Sequence, residues 1–215
     1  MVATQTPAFQ IEKTRVRRTR AQVIVDSVIG IFGSALTLLI MPVVALAISL
    51  EDRGPIFYRS EFVDCDGTVR YYLKFRTMVR NADEILAGDA ELRAQFSAKQ
   101  KLKNDPRILR VGRVLRRSSI DEFPQFFSLL TGHLTMVGPR TISRSEMERY
   151  GELLPKLLSV KPGITGYWQV NGRQNTTYDE RVRMDMFYVD HRSLRLDLRI
   201  IAKTFWTVLR GEGAY

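Results

Sequence analysis

Cysteine and histidine are nearly missing from this chain. Cys65 is the only thiol, which excludes an intrachain disulfide and suits a reducing compartment. His133 and His191 are the only imidazoles, too few for a histidine-built zinc site. Neither a Walker A loop nor a dinucleotide fingerprint occurs, because the glycine spacings they need are absent. Charge is missing too from one long stretch: Ser27 to Leu50 holds 24 residues without Asp, Glu, Lys or Arg.

That uncharged run would make a helix of roughly 36 Å, against a hydrocarbon core of about 30 Å. Lys13, Arg15, Arg17, Arg18 and Arg20 precede it, which keeps the N-terminus cytoplasmic. Three topologies fit: a simple span, a re-entrant helix broken at Met41-Pro42, and a cleaved signal peptide ending near Ala45-Leu46-Ala47. The run is too long for a usual signal sequence. All 215 residues carry a formal charge of +10, and residues 1–50 hold only five basic against two acidic side chains. The rest of the chain is therefore basic in its own right. Its partners should be anionic: lipid headgroups, phosphorylated small molecules or nucleic acid.

Beyond the apolar run, Ile56 to Tyr58 and Val69 to Arg76 read as strands around an Asp66-Gly67 hairpin turn. Alternation along the second strand puts Lys74 and Arg76 on one face. Asp64 and Asp66 have the Asp-x-Asp spacing of metal-dependent glycosyltransferases, although acidic residues beside glycine also suit a turn. Asn81 to Lys103 reads as one polar helix. Lys99 to Arg117 carries eight basic residues against Asp105 alone, interleaved with apolar ones and interrupted at Gly112. Such a segment can lie on an anionic membrane, contact nucleic acid or form a solvated helix face.

The strongest chemical signal follows. Arg116 and Arg117 lead into Asp121-Glu122, and Gly138-Pro139-Arg140 comes soon after. Ser119 and Glu122 have capping-box spacing, while Pro124 argues for a slightly later helix start. Either start leaves both carboxylates at a helix N-terminus, which favours their ionised forms. Adjacent acids are common at helix starts, but the flanking arginines add what phosphate transfer needs: cations on the non-bridging oxygens, with a nucleophile or Mg²⁺ ligands. A third cluster from Lys161 to Arg173, with Gly163, Gly166 and Gly172, reads as a loop of close backbone approach. Leu194 to Leu209 fits a core helix and an interfacial helix equally.

The order Lys74-Phe75-Arg76-Thr77-Met78, Asp121-Glu122-Phe-Pro-Gln, Val137-Gly138-Pro139-Arg140, Lys161-Pro162-Gly163 and Gln169 to Arg173 resembles the bacterial sugar transferases. More narrowly it resembles monotopic polyprenyl-phosphate phosphoglycosyl transferases, over roughly residues 20–215. The resemblance implies transfer of a hexose-1-phosphate from a UDP-sugar to undecaprenyl phosphate, at the cytoplasmic face of the bacterial inner membrane. It implies Asp121 as nucleophile, UMP as leaving group, and Glu122 with Asp121 as ligands for Mg²⁺. Arg116 and Arg140 are the implied phosphate contacts, with Lys74, Arg76, Lys161 and Arg173 as further binding candidates. Asp185 and Tyr188 match an Asp-x-x-Tyr-Val pattern, and Asp185 joins the candidates. Thr141 departs from the second proline that usually follows Gly-Pro-Arg, which loosens the constraint on Arg140. The Gly211-to-Tyr215 ending resembles exopolysaccharide initiators that use galactose or glucose.

The expected fold is therefore α+β and mainly helical. It has a basic extension over 1–20, a re-entrant membrane helix over 21–50 kinked at Pro42, and a catalytic domain over 51–215. That domain should carry a small β-hairpin and membrane-surface amphipathic helices. The expected partners are the UDP-sugar, undecaprenyl phosphate and membrane lipids, with no nucleic acid. A homo-oligomer is compatible. Two other classes remain open: a membrane-tethered basic binding module, and an Asp64/Asp66 glycosyltransferase that would release UDP.

Overall fold

The computed structural model describes residues 18–99, 102, 105–172 and 176–209. Lys13, Arg15, Arg17, Lys101, Lys103, Arg173 and the Gly211-to-Tyr215 ending lie outside them.

Helix α1 spans Arg20–Glu51 as one element, one residue longer at each end than the sequence suggests. Thr19 opens it with a capping box: its Oγ1 accepts from Gln22 N, and the Gln22 side chain returns to Thr19 N. Pro42 cannot donate to the preceding turn, yet it does not divide the helix in two. The buried face runs through Asp26, Gly30, Ser34, Thr37, Val44 and Ile48. Its small residues admit the rest of the protein closely. A Cβ on Gly33 would stand 2.4 Å from the Phe126 ring, and one on Gly30 would stand 2.8 Å from Leu130. The opposite face leaves Ile24, Ile31, Phe32, Leu39, Val43, Leu46 and Leu50 exposed, an apolar surface far longer than water tolerates.

The protein follows α1 along its whole length. Asp26 pairs with Arg18 and accepts from Met136 N at its start. Val44 and Ile48 join Phe75, Leu109 and Leu115 in a core cluster near its end. Glu51 accepts from Arg110 N at 2.6 Å and Val111 N at 2.9 Å, so α1 caps α4, Arg110–Arg117. Asp52 then takes Arg76 and Arg80.

The hairpin forms as its alternation predicts. Strand β1, Phe57–Val63, pairs antiparallel with β2, Val69–Phe75, from Phe57 opposite Phe75 to Val63 opposite Val69. Asn81 to Lys103 is not one helix. Asp89 adopts extended backbone and separates α2, Ala82–Gly88, from α3, Ala90–Lys99, while its Oδ1 caps Leu92 N at 2.9 Å. The basic amphipathic stretch shortens to α4, because Arg107 is buried in a bidentate pair with Asp105. Gly112 lies inside α4 against the Thr77 carbonyl and does not interrupt it.

A 3-10 turn, Ile120–Gln125, leads into α5, Phe126–Leu130. Strand β3, Thr135–Val137, follows, then a 3-10 segment Arg144–Leu153 and α6, Leu154–Leu158. Lys161 to Arg173 is not a loop: it forms β4, Gly163–Thr165, and α7, Tyr167–Asn171. β4 pairs parallel with β3, a second sheet that the sequence reading lacks. The glycines serve this crossing. A Cβ on Gly163 would fall 2.1 Å from Gly138 N, and one on Gly166 would fall 2.2 Å from Gly138 O. Helices α8, Tyr178–His191, and α9, Leu194–Leu209, complete the described residues. Helix α9 is divided along its length: Ile200 sits in the core, whereas Phe205 and Trp206 are exposed. The fold is mainly helical with a small antiparallel hairpin, as the α+β reading expects.

Candidate active site

Four side chains from three segments converge around Asp121. The 3-10 turn supplies Asp121 and Glu122, β2 supplies Lys74, and α4 supplies Arg116. Lys74 Nζ donates to Glu122 Oε1 at 2.7 Å. Burial works against the Lys74 ammonium, but the Glu122 and Asp121 carboxylates outweigh it and raise its pKa. Arg116 donates its Nε to Thr77 Oγ1 at 2.9 Å, which fixes the guanidinium plane. Burial lowers the Arg116 pKa, and the Asp121 and Asp105 charges oppose that.

Asp121 is 9% exposed. Burial, and then the neighbouring Glu122 charge, push its pKa up to about 6, while Lys74 and Arg116 pull it down. This reverses the expectation of a helix N-terminus favouring the ionised form. The capping box also fails. Ser119 has φ 56° and makes no side-chain cap, the one non-glycine residue in the left-handed region among those described. That costly conformation starts the turn bearing Asp121. A six-residue 3-10 turn with Pro124 inside it offers little dipole to offset desolvation.

The other candidates divide. Arg140 is exposed, with its guanidinium 5.5 Å from the Trp168 ring centre. Buried Arg181 lies 5.1 Å from the same ring. Thr141 links this region to the dyad: its Oγ1 is 3.4 Å from Tyr72 Oη, and Lys74 Nζ stands 5.7 Å from the Tyr72 ring centre. Asp185 has no exposed surface. It accepts from Tyr150 Oη at 2.8 Å and from the Arg140 backbone N–H, with Arg181 nearby at 3.8 Å. Burial pushes its pKa up to about 6 against those partners. Asp185 thus braces the Arg140 turn from inside and presents no surface to a substrate. Tyr188 Oη is equally interior, 2.8 Å from Asp197 Oδ1 and 3.0 Å from the Val137 carbonyl.

Two basic candidates belong elsewhere. β2 ends at Phe75, so the alternation that pairs Lys74 with Arg76 stops there, and Arg76 is buried against Asp52. Lys161 donates to the Gly132 carbonyl and lines a cavity of about 30 Å³ with Arg18, Asp26 and Asp197. Arg173 lies outside the described residues. Asp64 and Asp66 serve the hairpin: Asp64 holds Arg70 at 2.6 Å and Cys65 N at 2.7 Å, while Asp66 accepts from Thr68 and Arg70. Both carboxylates are thereby committed to the turn.

Sequence reasoning missed Thr77, Tyr72 and Thr37. Thr37 Oγ1 in α1 lies 3.1 Å from the carbonyl of Phe123, two residues after Asp121. An isolated threonine in an apolar run was the only available signal.

A buried carboxylate flanked by a lysine and an arginine, near a long apolar helix, is an arrangement whose cations could offset the charge of an anionic group such as phosphate. The chain belongs to the bacterial sugar transferase family, whose profile matches residues 17–211. It is 45% identical over 169 residues to the undecaprenyl-phosphate galactose phosphotransferase of Salmonella typhimurium, covering 77% of this chain and 36% of that one. It is 38% identical over 197 residues to the exopolysaccharide production protein ExoY of Rhizobium meliloti, covering 90% and 85% respectively. It is 35% identical over 193 residues to the UDP-glucose:undecaprenyl-phosphate glucose-1-phosphate transferase of Escherichia coli, covering 84% and 38%. The chain thus spans about a third of the Salmonella and Escherichia proteins and most of ExoY.

Proposed function

We propose that the protein transfers a hexose-1-phosphate from a UDP-sugar to undecaprenyl phosphate in two displacements at Asp121. In the first, a carboxylate oxygen of Asp121 bonds to the sugar-bearing β-phosphorus. The bridging P–O bond breaks, and its electron pair leaves with UMP. In the second, a phosphate oxygen of the lipid attacks the same phosphorus. The diphosphate bond of the lipid product forms, and the Asp121 carboxylate departs. Dividing the transfer lets a soluble donor and a lipid acceptor use one site in turn.

The observation that carries this reading is the setting of Asp121. A carboxylate with a pKa near 6 is a stronger nucleophile than a solvated aspartate and is still largely ionised at pH 7.5. Arg116 and Lys74 are positioned to offset charge on the transferring phosphoryl group. Arg140 beside Trp168 suits the departing nucleotide phosphate. The relatives' names cover galactose and glucose donors, and we extend that hexose class to this chain.

Among the described residues no group of three His, Cys, Asp or Glu side chains could hold a metal. Glu122 and Asp121 fit Mg²⁺ nonetheless, because that ion takes one or two carboxylates and completes its shell with phosphate oxygens and water. Bound there, Mg²⁺ would neutralise diphosphate charge.

The membrane reading follows from α1. Its exposed face is apolar, while polar ties hold it to the protein at both ends, at Asp26 and at Glu51–Asp52. A transmembrane span would force one of these ends, with the structure attached to it, across the bilayer. A helix that keeps both ends on the cytoplasmic side, bent at Pro42 without being broken there, meets no such cost.

Nucleotide release from the detergent-purified protein tests the function, using UDP-glucose and UDP-galactose with Mg²⁺ and undecaprenyl phosphate. UMP from wild type and none from Asp121→Asn is expected. UDP release would move the chemistry away from Asp121, and no nucleotide from either donor would leave a binding role for the basic surface.

A further inference from the structure

Thr37 sits inside the apolar run of α1 with no exposed surface. Its Oγ1 lies 2.7 Å from the Gly33 carbonyl and 3.1 Å from the Phe123 carbonyl. One hydroxyl carries one proton, so the two carbonyls share it. A threonine bonded to the carbonyl four residues back is ordinary in a helix. Thr204 and Thr207 do the same in α9, toward Ile200 and Lys203. Thr37 differs because its second acceptor belongs to the turn that carries Asp121.

That turn is fastened largely from outside, by Lys74 on Glu122 and by its neighbours, and its Phe123 carbonyl also accepts from Phe126 N–H. It begins at the strained Ser119, and its Glu122 N reaches Ser119 O only at 3.2 Å. Pro124 has no N–H to give. Short 3-10 segments have poor internal hydrogen bonding, so packing decides where they lie. The turn packs on β2, α4 and α1, and its continuation α5 seats directly on α1. Phe126 seats on Gly33 and Leu130 near Gly30, with the Thr37 hydroxyl at the Asp121 end of this seam.

We propose that Thr37 is a positioning residue for the transfer: its hydroxyl holds the Phe123 carbonyl, and through it the Asp121 carboxylate, against the apolar helix. The inference rests on Asp121 acting at the reacting phosphorus. Displacements near 1 Å can cost about a hundredfold in rate. Loss of one hydrogen bond at the edge of the turn should cost less, about tenfold, in kcat, and should leave donor binding unchanged.

The test uses the full chain in detergent and follows UMP release with UDP-sugar and undecaprenyl phosphate varied in turn. Thermal unfolding is recorded beside it. Thr37→Val keeps the shape and removes the hydroxyl, whereas Thr37→Ser keeps the hydroxyl. Thr207→Val removes a matched helix back-bond far from the turn. The expected result is a kcat about tenfold lower for Thr37→Val, with KM for the UDP-sugar within about twofold. Thr37→Ser should stay close to wild type, as should Thr207→Val. A wild-type kcat in Thr37→Val overturns the proposal, and so does an equal loss in Thr37→Ser. If Thr37→Val does not fold, Thr37→Ala replaces it under the same comparison with serine. An active Asp121→Asn would remove the function reading and this inference together. An inactive Asp121→Asn beside a fully active Thr37→Val removes this inference alone.

Discussion

Asp121 is held in its charged form against the preference of its surroundings, and both its reactivity and its cost follow from that. On the proposed reaction the ionised carboxylate attacks, so the transfer rate should fall below pH about 6 as Asp121 takes up a proton. Rate against pH from 5 to 8 checks this. Lys74 lowers the Asp121 pKa, so Lys74→Met should move that acid limb to higher pH as well as slow the reaction. Stability has the matching sign. A folded pKa raised above the ordinary carboxylate value contributes stability that is full below that ordinary value and is lost as pH rises through about 6. Asp121→Asn should therefore melt above wild type at pH 7.5, by on the order of 2 kcal/mol, with the two converging by pH 4. Arg76 makes the contrast. Removing it as Arg76→Met leaves Asp52 with Arg80 alone and should cost about 2 kcal/mol of stability, while kcat of the folded enzyme is kept. Adjacency made Asp121, Glu122 and Arg116 legible in the sequence. The partners that hold Arg76, Lys161 and Asp185, namely Asp52, the Gly132 carbonyl and Tyr150, were not legible because they come from distant parts of the chain.

Elements were legible where one periodicity ran without competition. The second hairpin strand follows from its alternation and the turn from Asp66-Gly67, while the first strand runs on past Tyr58 to Val63; α1 follows from its uncharged run. The turn at Ser119 was not legible, because capping-box spacing describes residue types and says nothing about a left-handed backbone. Asp89 shows the converse, a local cap strong enough to split what read as one long polar helix. The end of α1 and the start of α4 were read separately, yet Glu51 supplies the only side-chain cap seen on α4 among the described residues. Glu51→Ala should cost about 1 kcal/mol, measured by thermal unfolding, because two helix-end N–H groups lose their acceptor.

At the scale of the whole molecule, α1 is a platform along which the protein is built, and on the proposed membrane reading its two ends share a side. Single cysteines introduced as Ala21→Cys and Arg53→Cys should both react with a bulky maleimide from the cytoplasmic face of sealed vesicles, with native Cys65 buried and quiet. Protection of one of them from that face would mean a span. Elsewhere, the crossing of Gly138 with Gly163 and Gly166 brings two stretches together main chain to main chain. At these closest approaches main chain faces main chain, so a side-chain change on one strand has little means to compensate for a change on the other. Chimeras between relatives should therefore work when both stretches come from one parent and fail when they are split. By this reasoning, these two distant pieces of chain should be exchangeable only together.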